Sequence, residues 1–562
     1  MMRLDTSIRA KRSALGLAIA GVLGALAACG GGGTSGPAAP AVAQTRGGPV
    51  AGIDRLGMRS YFGIPFAAPP VGALRFRPPA AAQPWSAPLA KTQSPTPCPQ
   101  NSASPFTIPS TNEDCLYLDV HAPTSNAGTS LLPVMVWIHG GAFLTGGAVT
   151  YADPSPLVSR GVIVVNVQYR LGALGFLGHP ALSAEQGSSG NYGLMDQQAA
   201  LQWVQDNIAA FGGDRGNVTI FGESAGGFSV LSHLAAPASR GLFQKAIVQS
   251  GAYAVDRQQK RAQLEANGAQ VAGATVAAAG AAVAGACGAQ VDAACLRALP
   301  VDALMTAYGA LNASPVPAVD GRILPQSIKA AFAARQNNAV PVINGSTRDE
   351  YALFIAIGEL GRRAGNTDPS NTGFSLAAAA YPATAAALAA GSGANTTALV
   401  STFYPLAGYG PNAALAPSLA ATALGTDVIF ACPGLNVSRR VQAQGSPIWH
   451  YEFRDRSAIP TVGRNVVSFA QGAAHSYELQ YLFNFRDLEN DERRALQATM
   501  SRYWANFAAG GNPNGAGVPA WQPFGATGAV QGLDVASTGG VAPVPSFASD
   551  HKCDSAWSAL TF

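Results

Sequence analysis

Val218-Thr219-Ile220-Phe221-Gly222-Glu223-Ser224-Ala225-Gly226 carries an apolar run straight into a segment of helical character. Gly222 and Gly226 stand two positions either side of Ser224, where a tight strand-to-helix turn leaves no room for side chains. A turn of this kind holds its serine in a strained backbone conformation with the hydroxyl exposed. The first amides of the following helix have no intrahelical partner and carry partial positive charge, so they can receive an anion formed beside Ser224. The stretch points to acyl transfer by a serine.

Working outward, further apolar runs read as strands buried on both faces. They are Pro133-Val134-Met135-Val136-Trp137-Ile138, Gly161-Val162-Ile163-Val164-Val165-Asn166-Val167, and the shorter Ala246-Ile247-Val248 and Pro341-Val342-Ile343. Between them, residues 194–210 place Leu194, Leu201, Val204 and Ile208 on one stripe and stop at Gly212-Gly213, as a helix would. This alternation predicts an α/β fold with a large, mostly parallel sheet and helices on both faces. Ala-rich stretches at 271–313 and 376–390 read as helices that could cap the site.

A serine hydroxyl needs a base, and a histidine near its ordinary pKa of about 6.5 can supply it. His139 opens His139-Gly140-Gly141-Ala142-Phe143 directly after a strand, a loop whose backbone amides suit an oxyanion, with the Ala225 amide as a further donor. In sheets of this type the order is serine, acid, histidine, which leaves His450, His475 and His551 as candidate bases. His450 lies inside a strand-like run, and His551 lies beside Cys553 near the end of the chain. His475 follows the small residues Gly472-Ala473-Ala474, which suits a loop presenting a ring. The acid follows the Pro341-Val342-Ile343 run, and spacing leaves Asp349 and Glu350 both open.

Only 12% of the residues are charged, half the usual share, and no basic stripe with interleaved aromatics occurs, so nucleic acid is not an expected partner. The N-terminus has a basic region ending at Arg12 and an uncharged stretch over residues 13–28, too short to span a bilayer comfortably. Residues 1–28 therefore read as an export signal. Its end, Leu26-Ala27-Ala28-Cys29, resembles a bacterial lipobox, in which Cys29 would be acylated and anchor the chain to the cell envelope. Residues 29–46 read as a flexible Gly/Pro/Ala tether, and residues 47–562 as one catalytic domain without internal repeats. Losing Arg3, Arg9, Lys11, Arg12 and Asp5 with the leader takes the formal charge from +4 to +1. No later segment reads as a membrane span. The remaining six cysteines suggest three disulfides in an exported protein, and spacing favours Cys98–Cys115, Cys287–Cys295 and Cys432–Cys553.

Several motifs stand together in order: Phe62-Gly63-Ile64-Pro65-Phe66, Leu74-Arg75-Phe76-Arg77-Pro78, Glu113-Asp114-Cys115-Leu116-Tyr117-Leu118, and the segments 137–143, 166–170, 191–196 and 221–227. In this the chain resembles the type B carboxylesterases, the family that includes cholinesterases and the non-catalytic neuroligins, from about residue 48 to the end. The resemblance implies an α/β-hydrolase fold and a serine carboxylesterase. It implies Ser224 as nucleophile, Glu350 as acid, His475 as base, and the amides of Gly141, Ala142 and Ala225 as oxyanion hole. Asp349 then becomes a structural acid, Ser250 a serine hydrogen-bonded to the triad acid, and Arg75 with Glu113 and Arg170 with Asp196 structural ion pairs. The family's disulfide pattern agrees with the three pairs. No metal or organic cofactor is implied, and the partner is a small ester. The first disulfide loop holds Phe106 as its only aromatic and no tryptophan, so choline esters are poor candidates. Feruloyl, phthalate or polyester esters, or amides, remain open as substrates, as does a tethered binding module of the same fold. Oligomeric state is not legible.

Overall fold

In the computed structural model, the described residues run from 41 to 560, apart from 102–107, 125–129, 254, 256–257, 281–283, 286, 288–290, 312–314, 364, 367, 391 and 393–395. The export signal, Cys29, most of the tether and Phe106 lie outside them.

Thirteen described strands occur in chain order: β1 Val42–Gln44, β2 Pro49–Ala51, β3 Ile53–Arg55, β4 Met58–Pro65, β5 Tyr117–Pro123, β6 Leu132–Ile138, β7 Ile163–Val167, β8 Gly213–Glu223, β9 Lys245–Gln249, β10 Val342–Thr347, β11 Ile448–Phe453, β12 Val530–Leu533 and β13 Ala542–Pro543. Eleven of them form one sheet in the order β13-β12-β11-β10-β9-β8-β6-β7-β5-β4-β3. From β7 to β12 every pairing is parallel; β3, β4 and β5 at one edge and β13 at the other run antiparallel. All five apolar runs singled out in the sequence fall within the parallel core of the sheet. The antiparallel edges carry no continuous apolar signature and went unread.

The parallel strands are apolar on both sides because helices cover both faces. Val134, Val136, Ile163, Val165, Ile220 and Ile247 are fully buried. The helix Tyr192–Asn207 buries Leu194, Leu201 and Val204, and continues as a 3-10 turn over Ile208–Phe211 that ends at Gly212 in a left-handed conformation. The reading of residues 29–46 as tether is corrected at its end: β1 pairs antiparallel with β2, so ordered backbone begins before Pro49. One described helical run, Ala416–Ala443, is long and apolar enough to cross a bilayer, contrary to the reading that none is, but most of it is buried inside the fold.

The three disulfides Cys98–Cys115, Cys287–Cys295 and Cys432–Cys553 pair as expected. Arg75 grips Glu113 through two nitrogens and donates to the Leu299 carbonyl, tying the N-terminal loops to the helices around Cys295. Arg170 and Asp196 form a buried bidentate pair, 2.7 and 2.8 Å, which also takes the Arg170 amide. In a charge pair this deeply buried, removing one partner would leave an uncompensated charge.

Candidate active site

Strand β8 delivers Ser224, and the helix Ala225–Ala235 leaves from it. Ser224 sits at φ 56°, ψ −120°, a conformation sparsely populated by residues with a side chain. Space forces the turn. A Cβ on Gly226 would lie 1.9 Å from the Ile138 carbonyl oxygen, and one on Gly222 would lie 2.5 Å from the Gly226 carbonyl carbon. Strand β6 and the elbow therefore touch backbone to backbone. Gly226→Ala is expected to cost at least about 4 kcal/mol, as relief requires moving the central strand of the sheet; a thermal melt checks this.

The loop after β6 faces the elbow. His139 is buried, and burial pushes its pKa down to about 4, so its ring is neutral. It lies against the Tyr169 ring at 4.4 Å, and the Tyr169 hydroxyl donates to the His139 carbonyl at 2.7 Å. This fixes Gly140, Gly141 and Ala142 over the serine. Gly141 at φ +108° and Ala142 at φ +55° turn the chain so that, among the described residues, nothing accepts from the amides of Gly141 or Ala142. The amide of Ala225 opens its helix and is likewise free of intrahelical partners.

Glu350 follows β10 and is fully buried. Its Oε2 lies 2.5 Å from His475 Nδ1, while Oε1 accepts from Ser250 Oγ at 2.5 Å and from the Thr347 amide at 2.8 Å. The neighbouring Asp349 points elsewhere: it pairs with Arg456 at 2.6 and 2.8 Å and takes the Ala473 amide at 2.9 Å. One acid thus meets the histidine ring and the next one holds the loop that presents it. Geometry separates the two where spacing could not. The other candidate bases are engaged at a distance from the serine, His450 with Ser438 and His551 between Asp427 and Glu452.

Ser224, His475, Gly140, Gly141 and Ala142 line one cavity of about 450 Å³, a size that suits a small organic ligand. No hydrogen bond joins the Ser224 hydroxyl to His475 in this conformation. Instead His475 Nε2 lies 3.0 Å from Glu223 Oε1, close enough to attract but misaligned for a hydrogen bond. The Phe354 and Phe430 rings lie 5.2 and 5.0 Å from the imidazole and wall it from solvent. A second cavity of about 430 Å³, bounded by Arg348, Asp349, His551 and Lys552, contains neither Ser224 nor His475.

Two carboxylates here were missed by sequence reasoning. Glu223 occupies the second position of the Gly-Glu-Ser-Ala-Gly turn, and Glu478 follows His475 by three residues; both are buried. Burial pushes Glu223 up to about 7 and Glu478 up to about 8. Burial alone would lower the His475 pKa, but the charges of Glu223 and Glu350 outweigh it and lift it to about 9. The acidic partner within the motif was the available signal. Among the described residues, the Ala-rich helices expected to cap the site contribute nothing to the cavity lining, whereas Leu353, Phe354 and Ile357 of the helix Ala352–Arg363 do. Among the described residues no group of three or more His, Cys, Asp or Glu side chains is arranged to hold a metal ion.

A family model described as the carboxylesterase family matches residues 39–545. The chain belongs to the carboxylesterase family. It is 33% identical over 529 residues to carboxylesterase 1D of Rattus norvegicus, covering 87% of this chain and 88% of that one. It is equally close to liver carboxylesterase 1 of Oryctolagus cuniculus, 33% over 553 residues, with 89% and 91% covered. Among solved structures it matches a PNB esterase with TM-score 0.71 and 31% identity, over 91% of this chain and 98% of that chain. The fold is therefore the α/β-hydrolase fold and the chain is a carboxylic ester hydrolase, which sets aside the non-catalytic binding module.

Proposed function

We propose that this esterase works through a Ser224–His475–Glu350 triad and an acyl-enzyme. Ser224 Oγ attacks the ester carbonyl carbon as His475 Nε2 takes its proton. The amides of Gly141, Ala142 and Ala225 hold the oxyanion, and the alcohol leaves with the proton from His475. Water repeats the cycle and releases the acid. Glu350 fixes the ring through Nδ1 and steadies its cationic form. The observation that carries the reading is the contact of His475 Nδ1 with a fully buried Glu350, in the same cavity as a strained serine and three unpaired amides. Apo hydrogen bonds to the nucleophile are often unformed, and a rotation of the ring away from Glu223 would aim Nε2 at the serine.

A serine-directed fluorophosphonate tests this: mass mapping should place one adduct on Ser224. An adduct elsewhere, or none in an enzyme that still turns over, defeats the assignment.

We also propose that residues 1–28 direct export and that Cys29 carries the lipid anchor. Metabolic labelling with a tagged fatty acid is expected in the wild type and absent in Cys29→Ser; an unlabelled wild type removes the anchor.

A further inference from the structure

The wall of the Ser224 cavity carries three ionisable charges: Glu223, His475 and Arg486. The first two sit at its floor with the serine. Arg486 stands apart from them, on the segment after Phe485. Its Nη1 donates to the carbonyls of Ile459 and Pro460 at 3.1 and 3.2 Å, which braces the side chain. Nε is buried without a partner, and no described residue accepts from Nη2. The acids nearest in sequence are committed elsewhere: Asp487 to Arg494, and Glu489 to Arg464 and Arg493. The guanidinium lies over the Phe485 ring, 5.4 Å from its centroid, which limits its rotation. It is thus a half-buried, oriented cation with donor capacity unused.

Large apolar side chains make up much of the remaining lining. Leu144, Phe354, Ile357 and Phe485 line this cavity, each 37% exposed, and they are four of the ten exposed large hydrophobic residues among the described ones. Their convergence on one opening is not the scatter that single surface hydrophobics show. A substrate arm crossing this rim buries apolar area and ends beside a guanidinium fork, whose planar donors match a carboxylate.

From this juxtaposition we infer that the preferred substrate is an ester whose apolar arm ends in a carboxylate, such as the half-ester of an aromatic dicarboxylic acid, with Arg486 as the specificity residue. The inference rests on the Ser224 cavity being the site of hydrolysis. Orientation follows from place. The serine and the oxyanion amides lie together and take the ester carbonyl, while Arg486 stands apart from them on the same cavity wall and takes the free acid, which therefore points away from the elbow. A neutral diester would gain the apolar contacts without the ionic one.

The experiment compares monobutyl terephthalate with its neutral analogue, butyl 4-carbamoylbenzoate, each having one scissile ester. The readout is the ratio of their kcat/KM values, which cancels intrinsic reactivity when compared between variants. In Arg486→Gln the ratio should fall about tenfold, mainly through KM, the scale of one partly solvated charge-assisted contact. Arg486→Lys, which keeps the charge but not the fork, should fall between the two. In the wild type the ratio should also shrink as salt is raised. A ratio within twofold of wild type in Arg486→Gln overturns the proposal. Should that variant lose both activities by misfolding, a wild-type ratio insensitive to salt overturns it instead. Failure of the triad reading looks different: turnover of both esters would then survive in Ser224→Ala.

Discussion

Ser224→Ala is expected to lower ester turnover by roughly a million-fold while leaving the melting temperature unchanged. The size follows from what the hydroxyl does. On the proposed mechanism, without it no covalent intermediate forms, and the base and oxyanion amides act on nothing; in a serine protease, removing the nucleophile alone costs roughly 10⁶ in kcat, about as much as removing the whole triad. A residual acceleration over water, roughly 10³- to 10⁴-fold, remains from binding and the oxyanion amides. The fold should not notice. The hydroxyl makes no hydrogen bond to any described residue, and alanine keeps the Cβ that already fits at φ 56°. Stability should therefore stay within about 0.5 kcal/mol. Steady-state hydrolysis of an aryl acetate together with a thermal melt checks both halves. Turnover within a hundredfold of wild type would mean that another group attacks the ester.

Much of this site was legible because its chemistry is bound to tight local geometry. Gly222 and Gly226 are demanded because a Cβ there would lie 2.5 and 1.9 Å from neighbouring backbone atoms, so the elbow had to be written in glycine and could be read there. The parallel strands were visible because burial on both faces leaves continuous apolar runs. What escaped was set by long-range packing. Glu223 and Glu478 are ordinary acids in the sequence, and Glu223 becomes part of the histidine's surroundings only when β8 and the loop after residue 470 meet, while Glu478 joins them through burial on the histidine's own segment. The choice between Asp349 and Glu350 depended on which carboxylate turns inward, a matter of one residue of register that spacing cannot resolve. Alanine richness signalled helix and said nothing of position, so the expected cap was misplaced. The cavity wall came instead from 352–363, a helix of mixed composition that buries only part of its surface. Arg486 went unremarked because nothing about an arginine beside a phenylalanine declares which cavity it lines.

Glu350→Gln should remove roughly 10⁴-fold of kcat near neutral pH, for a reason fixed by hydrogen-bond direction. Two donors converge on Oε1, the Ser250 hydroxyl and the Thr347 amide, so the glutamine oxygen must occupy that place. Its NH₂ then falls where Oε2 was, 2.5 Å from His475 Nδ1, and donates to it. The ring is driven into the tautomer with its proton on Nε2, which cannot accept from the serine; the equivalent asparagine change in a serine protease costs about 10⁴ for this reason. The pH profile supplies an independent signature. A base that must be neutral, with its pKa lifted to about 9 by surrounding carboxylates, gives activity that falls as pH drops through that value, well before the mild acid an unperturbed histidine would require. Removing an anion lowers that pKa, so the acid limb should move to lower pH in Glu350→Gln and also in Glu223→Gln. Only the first also locks the tautomer. Glu223→Gln should shift the limb with a far smaller loss at its optimum, because it removes the carboxylate that faces Nε2 at 3.0 Å and leaves the Glu350 contact in place. If both variants lost the same activity with no movement of the limb, the carboxylates would be structural and the histidine's charge would be set by something else.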